Sequence, residues 1–207
     1  VSLKSISIKP TTTPSPTGII VMLHGWGANC YDLEPLAEAL NLPEYQFEFL
    51  DAPFPHPQVP GGKMWYDLES DNYEGLEESR QQVMDWLGEL EQLTGVPLSR
   101  TILSGFSQGG ATILDVGLRL PVAALVSMSG YLHCEPEPTG DRLPPSLIMH
   151  GIQDPVVPIA AAHQVRDFFQ ALGMSVQYRE FEMNHAICPE EIALFHQFVR
   201  GLNLAEG

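Results

Sequence analysis

Positive charge is scarce in this chain. Ten Lys and Arg stand against 26 Asp and Glu, for a formal net charge of −16. Without a basic stripe to neutralise phosphates, the composition argues against a nucleic-acid partner and against tight attachment to an anionic membrane surface. Long apolar runs are missing too: none approaches the roughly 20 residues of a membrane span, so stable membrane insertion is not expected. No charged-then-apolar signal segment opens the chain. Cysteine is limited to Cys30, Cys134 and Cys188, an odd and scattered set. Such a set suits a reducing compartment better than a disulfide framework, and a cytoplasmic location is the expectation.

What is present reads as globular. The length of 207 residues fits one domain spanning 1–207, and no internal repeat interrupts it. Residues 3–8 alternate like an edge strand. The continuous apolar run Gly18–Leu23 reads as a strand buried on both faces. A helix is predicted over Asp32–Leu40, a strand over Gln46–Leu50 and a long helix over Gly75–Leu93 that Gly95 and Pro97 terminate. Further on, a strand at Thr101–Leu103 precedes a helix over Ala111–Leu120. Strands near Val122–Met128, Leu147–Met149 and Ser175–Phe181 alternate with helices over Ile159–Leu172 and Pro189–Leu202. This alternation predicts the α/β class, with a mostly parallel sheet, helices on both faces and no large cap domain. Ligands of such sheets sit beyond the carboxyl ends of the strands.

One of those ends carries Gly105-Phe106-Ser107-Gln108-Gly109-Gly110. A serine with a glycine two residues to either side, between a strand and a helix, is the pattern of a nucleophile elbow. The turn is tight enough that side chains at 105 or 109 are expected to collide with the neighbouring strand or helix. The string alone also fits an ordinary glycine-rich turn, so its partners decide. A serine hydroxyl needs a base and a group that orients that base, in chain order Ser, acid, His on this architecture. Of the late histidines, His163 and His196 fall in helical patterns, whereas His185 follows the last strand. Asp154 lies just past a strand end, and Glu180 and Glu182 are competing acids; His150 reads as a structural strand-end residue. Ser107, Asp154 and His185 are therefore the expected triad. The expected oxyanion donors are the backbone N–H groups of Gln108 and of Trp26 in the glycine-rich loop His24–Asn29, their side chains mattering less than the glycines around them.

With these residues in view, the chain resembles the acyl-protein thioesterase/lysophospholipase-like carboxylesterases, a branch of the α/β-hydrolases. The resemblance runs from Leu23-His-Gly-Trp-Gly27 through the Ser107 segment to His150-Gly-x-x-Asp154-x-Val-Val-Pro158 and Asn184-His185, and includes Met64-Trp65-Tyr66-Asp67. It implies a serine hydrolase with no metal and no cofactor that cleaves carboxylic esters or thioesters, the acyl chain lying in a shallow apolar groove. Trp26 stands where members of that branch usually carry Leu, and its indole either narrows the acyl site or packs over it.

The main expectation is thus a serine carboxylesterase working through an acyl-enzyme. The alternatives are an acyl-protein thioesterase or lysophospholipase, and a non-catalytic ligand-binding protein on the same fold. The substrate is a small-molecule ester, an acyl thioester or a lipid. The long irregular stretches 53–71 and 130–145 are expected to flank the serine, with Phe54, Met64 and Trp65 as substrate-contacting candidates. A cysteine nucleophile does not fit an elbow that carries serine. A metal site from His133, Cys134 and Cys188 lacks a usable ligand spacing.

Overall fold

The computed structural model describes residues 3–139 and 143–204. Strands β1 (Ser5–Ile8), β2 (Ile19–Leu23) and β3 (Gln46–Leu50) are followed by a separate two-stranded ribbon, β4 (Phe54–Pro55) with β5 (Lys63–Met64). Strands β6 (Thr101–Phe106), β7 (Ala124–Met128), β8 (Ser146–Gly151) and β9 (Val176–Phe181) complete the main sheet, in the order β1-β3-β2-β6-β7-β8-β9. Among the described residues, only β1 runs antiparallel in this sheet, against β3. All other pairings in this sheet are parallel.

The apolar runs alternate between two cores. Ile19, Val21 and Leu23 of β2 face one cluster, with Leu103, Leu125 and Ile148; Ile20 and Met22 face the other, with Phe47, Phe49 and Val126. The first core is covered by α2 (Leu76–Thr94) through Val83, Trp86 and Leu87, by α3 (Gln108–Val116) and by α4 (Ile159–Ala171) through Val165 and Phe169. The second is covered by α1 (Leu36–Leu40) and by α5 (Pro189–Gly201) through Phe195 and Val199. Each such side chain removed from water contributes about 1.5–3 kcal/mol. No helix among the described residues is long and apolar enough to cross a membrane.

Two helices depart from the sequence expectation. The first begins at Leu36 rather than Asp32, with Pro35 as its N-cap; a residue before proline is pushed out of helical geometry, so Glu34 cannot extend the helix backwards. Helix α3 begins at Gln108, directly after the serine, and stops at Val116. Gly109 and Gly110 are poor helix formers in isolation, but here they meet the sheet. A Cβ on Gly109 would lie 2.1 Å from the Leu23 carbonyl oxygen, and one on Gly105 would lie 2.4 Å from the Gly109 carbonyl. Glycine is required at both places by close backbone approach. At the other end, Gly117 passes so close to Leu125 that a Cβ would sit 2.2 Å from its side chain.

Candidate active site

Ser107 occupies the turn between β6 and α3 at φ 54°, ψ −117°, one of five non-glycine residues with positive φ among those described. Such backbone costs about 1–3 kcal/mol and persists only where the surroundings hold it. Two hydrogen bonds do so: its N–H donates to the Met128 carbonyl at 2.9 Å, and its carbonyl accepts from Ala111 at 3.0 Å.

Asp154 follows β8. One carboxylate oxygen accepts from the backbone N–H groups of Val156 (2.9 Å) and Val157 (2.8 Å). The other lies 2.6 Å from His185 Nδ1. Burial pushes this carboxyl upward, but the hydrogen bonds from His185 and from the Val157 and Val156 amides outweigh it and hold its pKa below the ordinary value. The loops that carry acid and base are themselves tied: Ile152 N–H donates to Phe181 O at 2.8 Å, and Gln153 N–H to Met183 O at 3.1 Å. The His185 ring packs on Phe106, with centroids 4.7 Å apart.

The competing acids and the other late histidines are engaged elsewhere, whereas His150 sits beside Asp154, its Nε2 3.5 Å from Oδ2. Glu180 pairs with His163 at 2.8 Å and with the Tyr178 hydroxyl at 2.8 Å, and Glu182 accepts from Gln153 at 2.7 Å. His150 is fully buried with Nε2 2.8 Å from the Val157 carbonyl. Burial lowers its pKa, so it stays neutral and donates. His196 Nδ1 lies against Leu40 O at 2.7 Å.

The glycine-rich loop after β2 is pinned to β5: Gly27 N–H donates to Lys63 O (2.8 Å), and Lys63 N–H returns to Ala28 O (2.7 Å). His24 fixes the base of this loop. Its Nε2 accepts from Ala52 N–H at 3.1 Å, which leaves Nδ1 to donate to Gly25 O at 2.7 Å. Its pKa is lowered by burial. The Gln108 side chain, to which sequence reasoning gave little weight, proves to be a clamp. Its Oε1 accepts from Trp65 N–H (3.0 Å) and its Nε2 donates to Tyr66 O (2.7 Å). Its own N–H is the first of α3, and the Ser107 side chain makes no cap to that helix. First-turn amides of a helix lack intrahelical acceptors, which leaves this one for an acceptor outside the helix. Ser107 itself borders an open space.

That space is a cavity of about 520 Å³ whose walls include Ser107 and His185 together with Trp26, Phe106, Tyr131, Leu132 and Val157. Trp26 thus forms a wall, its indole packed on His56 with centroids 4.8 Å apart. A groove of about 600 Å³ between β1 and α1 holds no comparable set of groups. Phe54, Met64 and Trp65 do not line the cavity. Trp65 is fully buried beneath it, its indole N–H donating to His24 O at 2.9 Å, and its carbonyl accepts from the Ser79 hydroxyl. Phe54 and Met64 face each other in the β4–β5 ribbon, where Phe54 packs against Gly75. Leu68, Tyr131 and Leu132 are the side chains that the two irregular stretches deliver instead. A hydrophobic residue in a proline-rich loop is equally compatible with either fate, so their pattern carries no signal that separates them.

Asp115, His133 and Cys134 place one ligand atom each within 4.8 Å of the others, a grouping that differs from the Cys188-containing set. Its chemistry is that of an ion-pair hub. Asp115 is held by Arg80 Nε at 2.6 Å, Arg119 Nε at 3.1 Å and His133 Nε2 at 3.3 Å. Burial raises its carboxyl, but the bonds from His133 and Arg80 win and take it down to about 2. Two guanidinium groups on one carboxylate oppose a cation there.

Comparison with known proteins places this geometry in context. A family model described as Phospholipase/Carboxylesterase matches residues 7–203. "Acyl-protein thioesterase 1" of Neurospora crassa is 28% identical over 212 residues, covering 88% of this chain and 86% of its own. "Probable carboxylesterase Os04g0669600" of Oryza sativa is 28% identical over 174 residues, covering 80% and 72%. Among solved structures, esterase PE8 superposes with a TM-score of 0.89 at 28% identity, covering 98% of this chain and 100% of that one.

Proposed function

Because this chain belongs to the phospholipase/carboxylesterase family of α/β-hydrolases and is a serine ester hydrolase, we propose that Ser107, His185 and Asp154 perform its chemistry. The carrying observation is the 2.6 Å contact of His185 Nδ1 with Asp154, on a histidine that shares a cavity wall with Ser107. Asp154, its pKa held low, stays ionised and keeps the imidazole proton on Nδ1, which leaves Nε2 as the base. Ser107 Oγ adds to the acyl carbon as its proton passes to Nε2. The oxyanion that forms accepts hydrogen bonds from the N–H groups of Trp26 and Gln108, each donor of this kind being worth about 3 kcal/mol. Collapse breaks the bond to the leaving group, which takes the proton from Nε2 and leaves an acyl-serine. Water then gives a proton to Nε2 and its oxygen to the acyl carbon, and the acid departs as Ser107 recovers its proton.

The apolar walls around Phe106, Leu132 and Val157 suit an acyl chain. A thioester substrate is the second reading, and it draws on the thioesterase relatives. Ser107→Ala is expected to lose more than about 10³-fold in kcat on p-nitrophenyl esters with an unchanged circular dichroism spectrum. Retained turnover in that variant would sink the assignment. Saturable ligand binding without fluorophosphonate labelling of Ser107 would support a binding protein instead.

A further inference from the structure

The walls of the Ser107 cavity carry a charge pattern that ester cleavage itself does not require. Among the described residues, no Lys or Arg lines the cavity, and Asp32 is the acid that does. Leu68, another wall residue, is flanked in the chain by Asp67 and the exposed Glu69. Beside His185, Glu182 is fastened to Gln153. Most of the described basic side chains are already bound by acids or carbonyls. Arg80 and Arg119 are held by Asp115, Arg166 by Asp167, Arg200 by Glu44 and Lys4 by Asp51. Arg100 binds Pro16 O at the amino end of β6, the opposite end of that strand from Ser107. Lys63 is tied through its backbone to Gly27 and Ala28 yet does not line the cavity. Over the whole chain these groups sit in a field of net charge −16.

A polyanionic leaving group needs cations or helix N-termini to receive it. Two helix starts border the cavity: that of α3 is assigned to the oxyanion, and that of α4 opens on Pro158, which has no N–H to give. Among the described residues, no Lys or Arg lines the cavity to reinforce either. We infer that this site selects by leaving-group charge: it accepts esters and thioesters whose leaving groups are uncharged or cationic and turns away polyanionic ones such as coenzyme A thioesters. The inference rests on the hydrolytic reading of the site. Like charge at a cleft lowers encounter rates by the same factors by which opposite charge raises them, about 10- to 1,000-fold at low salt.

The test compares kcat/KM for hexanoyl-pantetheine and hexanoyl-coenzyme A, which share the acyl chain, the thioester bond and the pantetheine arm. Monohexanoyl glycerol against its 3-phosphate provides the same contrast in ester form. At an ionic strength of about 10 mM, where the Debye length is about 30 Å, the uncharged member of each cleaved pair is expected to be favoured at least about tenfold. The ratio should fall toward unity at about 1 M salt, where screening leaves about 3 Å, and should shrink at low salt in Asp32→Lys. Equal rates at low salt would overturn the inference. So would a ratio unmoved by both salt and Asp32→Lys, because size rather than charge would then be selecting. Failure to cleave p-nitrophenyl hexanoate would instead bring down the hydrolytic reading beneath it.

Discussion

Glu191 is fully buried in the first turn of α5, and neither carboxylate oxygen makes a well-formed hydrogen bond to the described residues. Burial drives its pKa up to about 8, opposed only in part by the Cys188 amide. In the unfolded chain the same group ionises near its ordinary value of 4.5. Between those two values the folded state holds a proton that the unfolded state releases, so the contribution to stability falls as pH rises through that window. It is fully present below the unfolded value and gone above about 8. Glu191→Gln removes the titration. Its melting temperature is expected to exceed that of the parent at pH 8–9, with the gap closing toward pH 4–5. A gap that does not change with pH would assign the effect to packing alone. Sequence reading gives no hint of this residue, because a glutamate in the first turn of a helix ordinarily faces solvent and the helix dipole. Asp154 and His185 are legible for the opposite reason: each follows a strand, where chain order and architecture restrict the choice. The clamp made by the Gln108 side chain is not, since the Trp65 amide that it holds lies 43 residues earlier.

At the level of elements, the segment after β7 is fastened at two points. The Tyr131 hydroxyl meets that of Tyr66 at 2.9 Å, and His133 meets Asp115, the hub shared by α2 through Arg80 and by α3 itself. Tyr131 and Leu132 are thereby set into the cavity wall. Asp115→Asn is expected to cost about 2 kcal/mol near neutral pH, because it removes the charged acceptor shared by Arg80, Arg119 and His133, while Arg80 keeps its pairing with Glu77. Since the native carboxyl titrates at about 2 and its ordinary value is 3.8, that stabilisation is present above 3.8 and lost as pH falls through about 2. Chemical denaturation across this range checks it. In turnover, the milder His133→Asn should raise KM for p-nitrophenyl octanoate several-fold while kcat for the acetate barely moves. A uniform loss on both esters would refute the idea that this contact positions the wall. The periodicity of α2, α4 and α5 is readable in the sequence almost to the residue. That of α3 is not, because the glycines that open it are chosen by contact with β2 and not by helical preference. Trp65 misleads for a related reason: its burial is decided by Gln108 and His24, which lie far from it in the chain.

For the molecule as a whole, the strand–helix alternation is enough to read the α/β class, but not the strand order. Nothing local says that β6 inserts between β2 and β7, or that β1 turns back antiparallel against β3. Those facts are settled by pairing between distant segments. The register of the central pair joins Leu23 to Gly105, and the Gly109 backbone then presses on Leu23 and His24. The turn that holds Ser107 is therefore no local object. Its conformation is completed only when segments from the two ends of the N-terminal half have met, and closing so long a loop is slow compared with forming helices. Turnover thus doubles as a clock for folding. On dilution from denaturant, helical ellipticity is expected to recover first and p-nitrophenyl ester hydrolysis to lag behind it, rising with the slow phase that completes the sheet.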